Sequence, residues 1–118
     1  MAPLARLKKR AQFLEVAGKG RKWSTPGLIL QVLPQTSDTP PRVGFTASRR
    51  SVGIAVARNR ARRRLKAAAE QLIPSHAAAG DYVMIARGTT VARDFAALLS
   101  DLEAALRRTG AWREGGAR

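Results

Sequence analysis

An α+β fold, a single domain with helices packed against one sheet, is what the chain predicts, and three observations carry it. The apolar pattern changes period along the chain in the order helix, strand, strand, helix, strand, helix. The length of 118 residues supports one modest core and not two. One helix joins two strands of the sheet, which makes a βαβ unit, and general chirality statistics would make it right-handed.

Taken in order, residues 7–16 read as a short basic helix with Leu7, Ala11, Leu14, Phe13 and Val16 as its apolar contribution, ended by Gly18 and Gly20. Its basic, acid-poor character also fits a transit peptide, but its tight run into the next strand favours a part of the domain. Residues 19–27 form a basic loop, in which Trp23 is either a cap on the core or an exposed stacking face. Residues 28–33 are a strand, with Gln31 on the same side as Ile29 and Leu33. A turn at residues 37–41 leads to a strand at 42–48. There Val43, Phe45 and Ala47 share one face, and Gly44, Thr46 and Ser48 the other. The short connection predicts an antiparallel hairpin between these two strands.

Residues 52–56 either continue the sheet or run irregularly into a helix over about 57–73. Ala61, Leu65, Ala68 and Leu72 recur at spacings of three and four and form its core stripe. Asn59, Arg63, Lys66 and Glu70 take the opposite face, with Arg60 and Arg64 on one flank and Arg62 on the other. Pro74 is expected to stop it. Residues 81–86 are a buried strand, and Val91, Phe95, Leu98, Leu99, Leu102 and Leu106 mark a long amphipathic helix. Frayed ends are expected at 1–5 and 110–118. With alanine supplying much of the apolar content and aromatics few, the core should be thin.

Charge is the strongest functional signal. Lys and Arg number 22 against 8 acids, a net charge of +14. Residues 1–69 hold sixteen bases and two acids, Glu15 and Asp38, whereas residues 70–118 are balanced. The excess is densest at residues 49–66, where eight of eighteen residues are Arg or Lys and none is acidic. Such asymmetry points to a polyanion, nucleic acid ahead of an anionic membrane. The absence of cysteine excludes a disulfide framework and thiolate metal sites and fits a reducing, cytoplasmic setting. No apolar run nears the roughly 18 residues of a membrane span.

Self-contained catalysis is poorly supported. The one histidine, His76, reads as a surface loop residue, and Asp94, Asp101 and Glu103 as solvated charges on a helix whose other face is core. Ser48 and Ser51 have no base in reach by sequence. Two-metal phosphodiester chemistry needs several carboxylates, which the basic half lacks. RNA binding fits better. Arg58, Asn59, Arg60, Arg62, Arg63 and Lys66 populate the solvent side of a helix and its start, where phosphate is favoured. Asn59 suits either a helix cap or a bond to a base or 2′-OH. Gln31, Thr46 and Ser48 are expected to face outward on the sheet, with Phe13 from the first helix nearby. That arrangement suits single-stranded nucleic acid, although Phe13 on its own reads first as core.

Residues 43–50, Val-Gly-Phe-Thr-Ala-Ser-Arg-Arg, and residues 57–66, Ala-Arg-Asn-Arg-Ala-Arg-Arg-Arg-Leu-Lys, closely resemble the protein subunit of bacterial ribonuclease P. The second matches that family's signature Arg-Asn-Arg-x-Lys-Arg-x-x-Arg, with Arg62 for the Lys and Lys66 for the last Arg. Residues 6–13 resemble its opening helix, 81–87 its last strand, and Phe95 with the following leucines its closing helix.

The resemblance implies an α/β sandwich with a left-handed βαβ crossover, as in the ribosomal S5 domain 2-like fold, reversing the statistical expectation. It implies a subunit that helps a catalytic RNA remove the 5′ leader of precursor tRNA, the hydrolysis coming from the RNA and its Mg2+ ions. It assigns Arg58, Asn59, Arg60, Arg62, Arg63 and Lys66 to the catalytic RNA. Phe13, Ala17, Lys19, Gln31 and Thr46 fall near the leader-binding cleft, with Arg49 and Arg50 at its basic edge. Neither a membrane nor DNA is an implied partner. Ala17 and Gln31 depart from the family's frequent aromatics, Arg64 stands where an apolar residue is common, and Ile54 replaces a frequent polar one. The alternative from another class is a small basic ribosomal or RNA-chaperone protein, and a weaker one a free-standing nuclease.

Overall fold

The computed structural model describes residues 4–36 and 40–114. Its elements are β1 (Ala5–Arg6), α1 (Arg10–Lys19), β2 (Arg21–Ser24), β3 (Leu28–Pro34), β4 (Arg42–Thr46), α2 (Arg49–Val52), α3 (Ala55–His76), β5 (Gly80–Ala86) and α4 (Phe95–Arg108). The predicted α+β class holds. One five-stranded sheet runs in the order β1-β4-β5-β3-β2, and β4, α3 and β5 form the expected parallel βαβ unit.

The predicted hairpin is corrected. β3 and β4 are not neighbours; β5 lies between them, antiparallel to β3 and parallel to β4. The physical reason is burial. Tyr82, Val83 and Met84 of β5 are buried in succession, and a strand apolar on both faces belongs in the middle. The turn expected at 37–41 lies partly outside the described residues.

The register sorts the side chains onto two faces. Leu28, Leu30, Val32, Val43, Phe45, Tyr82 and Met84 join Ala61, Leu65, Ala68 and Ile73 of α3 and Leu98, Leu102 and Leu106 of α4 in the main core. Small residues at Ala61, Ala68, Ala69 and Ala105 let the two helices approach the sheet closely. On the other face Leu7, Val16 and Val83 pack with Phe13, Leu33 and Ile85 beneath α1. The sheet is thus covered by α3 and α4 on one side and by α1 on the other.

Several boundaries differ from expectation. The first helix starts at Arg10, three residues late, because Leu7 is buried beside the sheet and its N–H donates to the Val43 carbonyl. Gly18 stays helical, and Gly20 makes the cap, its N–H donating to Val16. Residues 5 and 6 form a strand on β4, and 21–24 form one on β3, where a frayed end and a loop were expected. Pro74 does not stop α3. It sits in the last turn, where its missing N–H costs a single helical bond, and the Ala77 N–H still reaches Ile73. Residues 110–114 are held in place, since Ala111 is buried, its N–H donates to Leu106, and Trp112 bridges to Ala77. Residues 1–3 and 115–118 of the expected frayed ends lie outside the described residues.

Candidate nucleic-acid interface

The basic stretch at 49–66 is two helices and a turn. Ser48 caps α2, accepting from the Ser51 N–H at 3.0 Å. Gly53 follows at φ 109°, a conformation open chiefly to glycine, and turns the chain into α3. Ile54 is the residue before the first turn of α3 and provides no side-chain cap. Asn59 is the fifth residue of α3, so it is not a cap; its Oδ1 accepts from Arg62 instead. Sequence position suggested a cap because the helix was expected to start near 57.

The arginines divide by what they touch. Arg58 turns back, Nη1 donating to the Gly53 carbonyl at 2.7 Å, and steadies the turn. Arg64 leaves the exposed face altogether. Its guanidinium donates to the carbonyls of Thr90, at 3.0 Å, and Arg93, and lies 5.8 Å from the Phe95 ring. It ties α3 to the loop before α4. Arg60, Arg63 and Lys66 point away from the core and are exposed. Among the described residues no carboxylate pairs with any of the cations at 58–66.

Three of the acids are bound by arginines away from this face. Asp81 takes a two-pronged bond from Arg42, Nε to Oδ1 at 2.8 Å and Nη2 to Oδ2 at 2.7 Å, which raises the arginine pKa above its ordinary value. Asp101 is buried and bound by Arg93, not solvated as expected; its bond likewise raises Arg93. A side chain at Gly27 would push this pair aside, since a Cβ there would stand 2.4 Å from Asp101 Oδ2 and 2.7 Å from Arg93 Cδ. Glu103 pairs with Arg107 along α4. The cations at 58–66 therefore stay unpaired by any carboxylate among the described residues, with Glu70 the one acid farther along the same helix face.

Asn59, Arg62, Arg63 and Lys66 line one side of a shallow depression of about 330 Å³ with Phe45 at its base. Arg6 closes the other side, its guanidinium 4.8 Å from the Phe45 ring centroid. Arg6 was missed in the sequence because β1 is only two residues long. Its signal was the neighbouring Leu7, which fixes the alternation that sends Arg6 to the α3 side.

The second group of residues lies mainly on the α1 side. Gln31 is registered beside Val83, and Thr46 beside Ile85. Phe13 is half-buried over Gly44, so it packs as core and also borders this face. Ala17 and Lys19 are exposed near the end of α1. Arg49 and Arg50 are exposed on α2, just beyond the end of β4. The strands thus bring Gln31 and Thr46 together with Phe13, while the two arginines stand at the sheet's end.

Nothing among the described residues groups three or more His, Asp or Glu side chains as a metal seat. His76 stacks on Trp112 at 4.3 Å with the rings 5° from parallel, and its Nδ1 lies 3.0 Å from the Arg113 carbonyl. The histidine is packing, and it fastens the end of α4 to α3.

Known proteins resemble this chain in sequence and in fold. The family described as Ribonuclease P matches residues 1–110. The ribonuclease P protein component of Paramagnetospirillum magneticum is 55% identical over 115 residues, covering 93% of this chain and 86% of that protein. The one from Gluconacetobacter diazotrophicus is 49% identical, covering 89% and 90%. Among solved structures, the Staphylococcus aureus RNase P protein superposes with a TM-score of 0.77 at 24% identity, over 92% of this chain and 97% of that one. The Thermotoga maritima protein gives 0.71 at 21%, over 88% and 94%. Both structures share the fold. The match over most of the sequence, and not the fold alone, shows that this chain belongs to the ribonuclease P protein family.

Proposed function

We propose that the chain binds the catalytic RNA of ribonuclease P through α3 and Arg6, and holds the 5′ leader of precursor tRNA on the α1 side of the sheet. The observation that carries the first half is a face whose cations no carboxylate pairs. Arg60, Arg63 and Lys66 form no ion pair among the described residues, and Asn59, Arg62 and Arg6 complete a concave, cationic surface. Apart from Asn59 Oδ1, which already accepts from Arg62, the polar side-chain groups of that surface are donors. Donors suit phosphate oxygens, so this face holds RNA by its backbone.

Gln31, Thr46, Ala17 and Phe13 give the leader surface a small, weakly aromatic lining, with Lys19, Arg49 and Arg50 to attract phosphate. Hydrolysis belongs, in this proposal, to the RNA and the magnesium ions it binds. Asp81, Asp101 and Glu103 are bound by arginines and the described acids gather into no group of three or more, so the protein residues do not fit a magnesium seat. The side chains bind and orient; they move no proton. The setting is the cytoplasm, and no described helix is long and apolar enough to cross a membrane.

Reconstitution tests the proposal. Adding the protein to catalytic RNA and precursor tRNA at low magnesium should accelerate leader removal. No acceleration at saturating protein would overturn it.

A further inference from the structure

The outer strand β2 carries chemistry that neither surface uses. All four of its residues, Arg21, Lys22, Trp23 and Ser24, are exposed. Its register, Trp23 beside Leu30, sends the indole to the α4 side, while Lys22 beside Gln31 and Ser24 beside Ile29 face the α1 side. Trp23 keeps 41% of its surface open, and the Arg108 guanidinium lies over its ring at 5.2 Å. Arg21 Nη1 donates to the Thr109 carbonyl at 2.7 Å and fastens the strand to the end of α4. Among the described residues no carboxylate pairs with Arg21, Lys22 or Arg108. A half-open indole among uncompensated cations is the chemistry of a stacking platform for single-stranded nucleic acid.

Its place in the sheet says how RNA would reach it. On the α1 side, Thr46, Ile85, Ile29 and Ser24 form one row across four strands, half-buried until Ser24 and exposed there. Three strand spacings make that row about 14 Å long. It begins in the proposed leader surface and ends at the β2 edge, where the next residue is Trp23 on the opposite face. A strand of RNA following the row leaves the sheet at Ser24, passes Lys22 and meets the indole as it rounds the edge.

We propose that Trp23 stacks a base of the leader RNA beyond the sheet, with Arg108 exchanging its contact with the ring for a phosphate. This rests on the proposed function for the identity of the RNA, but not for the stacking itself. The indole then stands in for aromatics that the cleft lacks at Ala17 and Gln31.

The test uses the full chain with Trp112→Phe, which leaves Trp23 as the single tryptophan. Titration with a single-stranded oligoribonucleotide should quench its fluorescence, and an abasic oligomer of equal length should not. Trp23→Leu keeps the apolar cover and removes the aromatic face. It should weaken binding of the base-bearing oligomer about 5- to 100-fold and leave the abasic one unchanged, with Trp23→Phe restoring most of the loss. Absence of quenching, or equal losses for both oligomers, would overturn the inference and leave Trp23 as a clamp between β2 and α4. Base-dependent quenching in a protein that does not accelerate leader removal would sink the ribonuclease P proposal alone. Acceleration without quenching would sink this one alone.

Discussion

The ring of Phe13 rests against the backbone of Gly44: a Cβ on Gly44 would stand 2.4 Å from the ring's Cε2 and Cζ. This contact seats α1 on the sheet and sets the width of the proposed leader surface. Gly44→Ala should therefore lift α1 and cost about 1–3 kcal/mol of stability, the usual range for overpacking. Urea denaturation measures the loss. Binding assays on the folded fraction should show weaker leader affinity and nearly unchanged affinity for the catalytic RNA.

Arg42 and Asp81 join β4 to β5 beneath α1. The carboxylate is buried while the arginine side chain is 35% exposed. Arg42→Ala leaves a buried acceptor without its charged donor and should cost about 2 kcal/mol. The double variant with Asp81→Ala should lose less than the sum of the two single losses, as a thermodynamic cycle in urea would show. The bond raises the arginine pKa, so this stabilisation is complete below the ordinary arginine value and is lost only as pH rises through the folded-state value. Its coupling energy should stay constant from neutral to mildly alkaline pH.

Arg63 and Arg64 are adjacent in sequence and opposite in role. Arg63→Ala should lower the slope of log affinity for catalytic RNA against log salt by about one unit with little change in stability. Arg64→Ala breaks two bonds to the loop before α4 and should cost about 1–2 kcal/mol, with the salt slope kept. Equal slopes for Arg63→Ala and the unaltered protein would remove Arg63 from the interface.

Gly53 holds φ 109° between α2 and α3. No atom crowds its missing side chain, so the penalty of Gly53→Ala is conformational alone, about 1–3 kcal/mol. Thermal unfolding should register it. RNA affinity should fall as well, because the turn aims Arg49 and Arg50 relative to Arg58.

Much of the architecture was legible where periodicity meets burial. Ala61, Leu65 and Ala68 marked the core face of α3, and Val43 and Phe45 the inward side of β4, because each pattern records a single buried face. β2 left no such mark: its four residues are all exposed, so nothing alternates. β1 exists only through its pairing with β4, and a two-residue strand carries no period. The predicted hairpin failed because chain proximity says nothing of which strand later inserts between two others. At the site, the cationic face was visible in composition. The role of Arg64 was not, since its partners Thr90 and Arg93 lie 26 and 29 residues away. Arg6 was hidden in the same way, being brought to α3 by the sheet.

The central claim is that α3 meets the catalytic RNA as a phosphate-binding face. Its most direct test compares the unaltered protein with an Arg60→Ala, Arg63→Ala, Lys66→Ala variant, measuring affinity for the catalytic RNA across a salt series. The variant should lose about two to three units of slope while retaining its crosslinks to the precursor tRNA leader. An unchanged slope, or loss of the leader crosslinks with RNA affinity intact, would contradict the account.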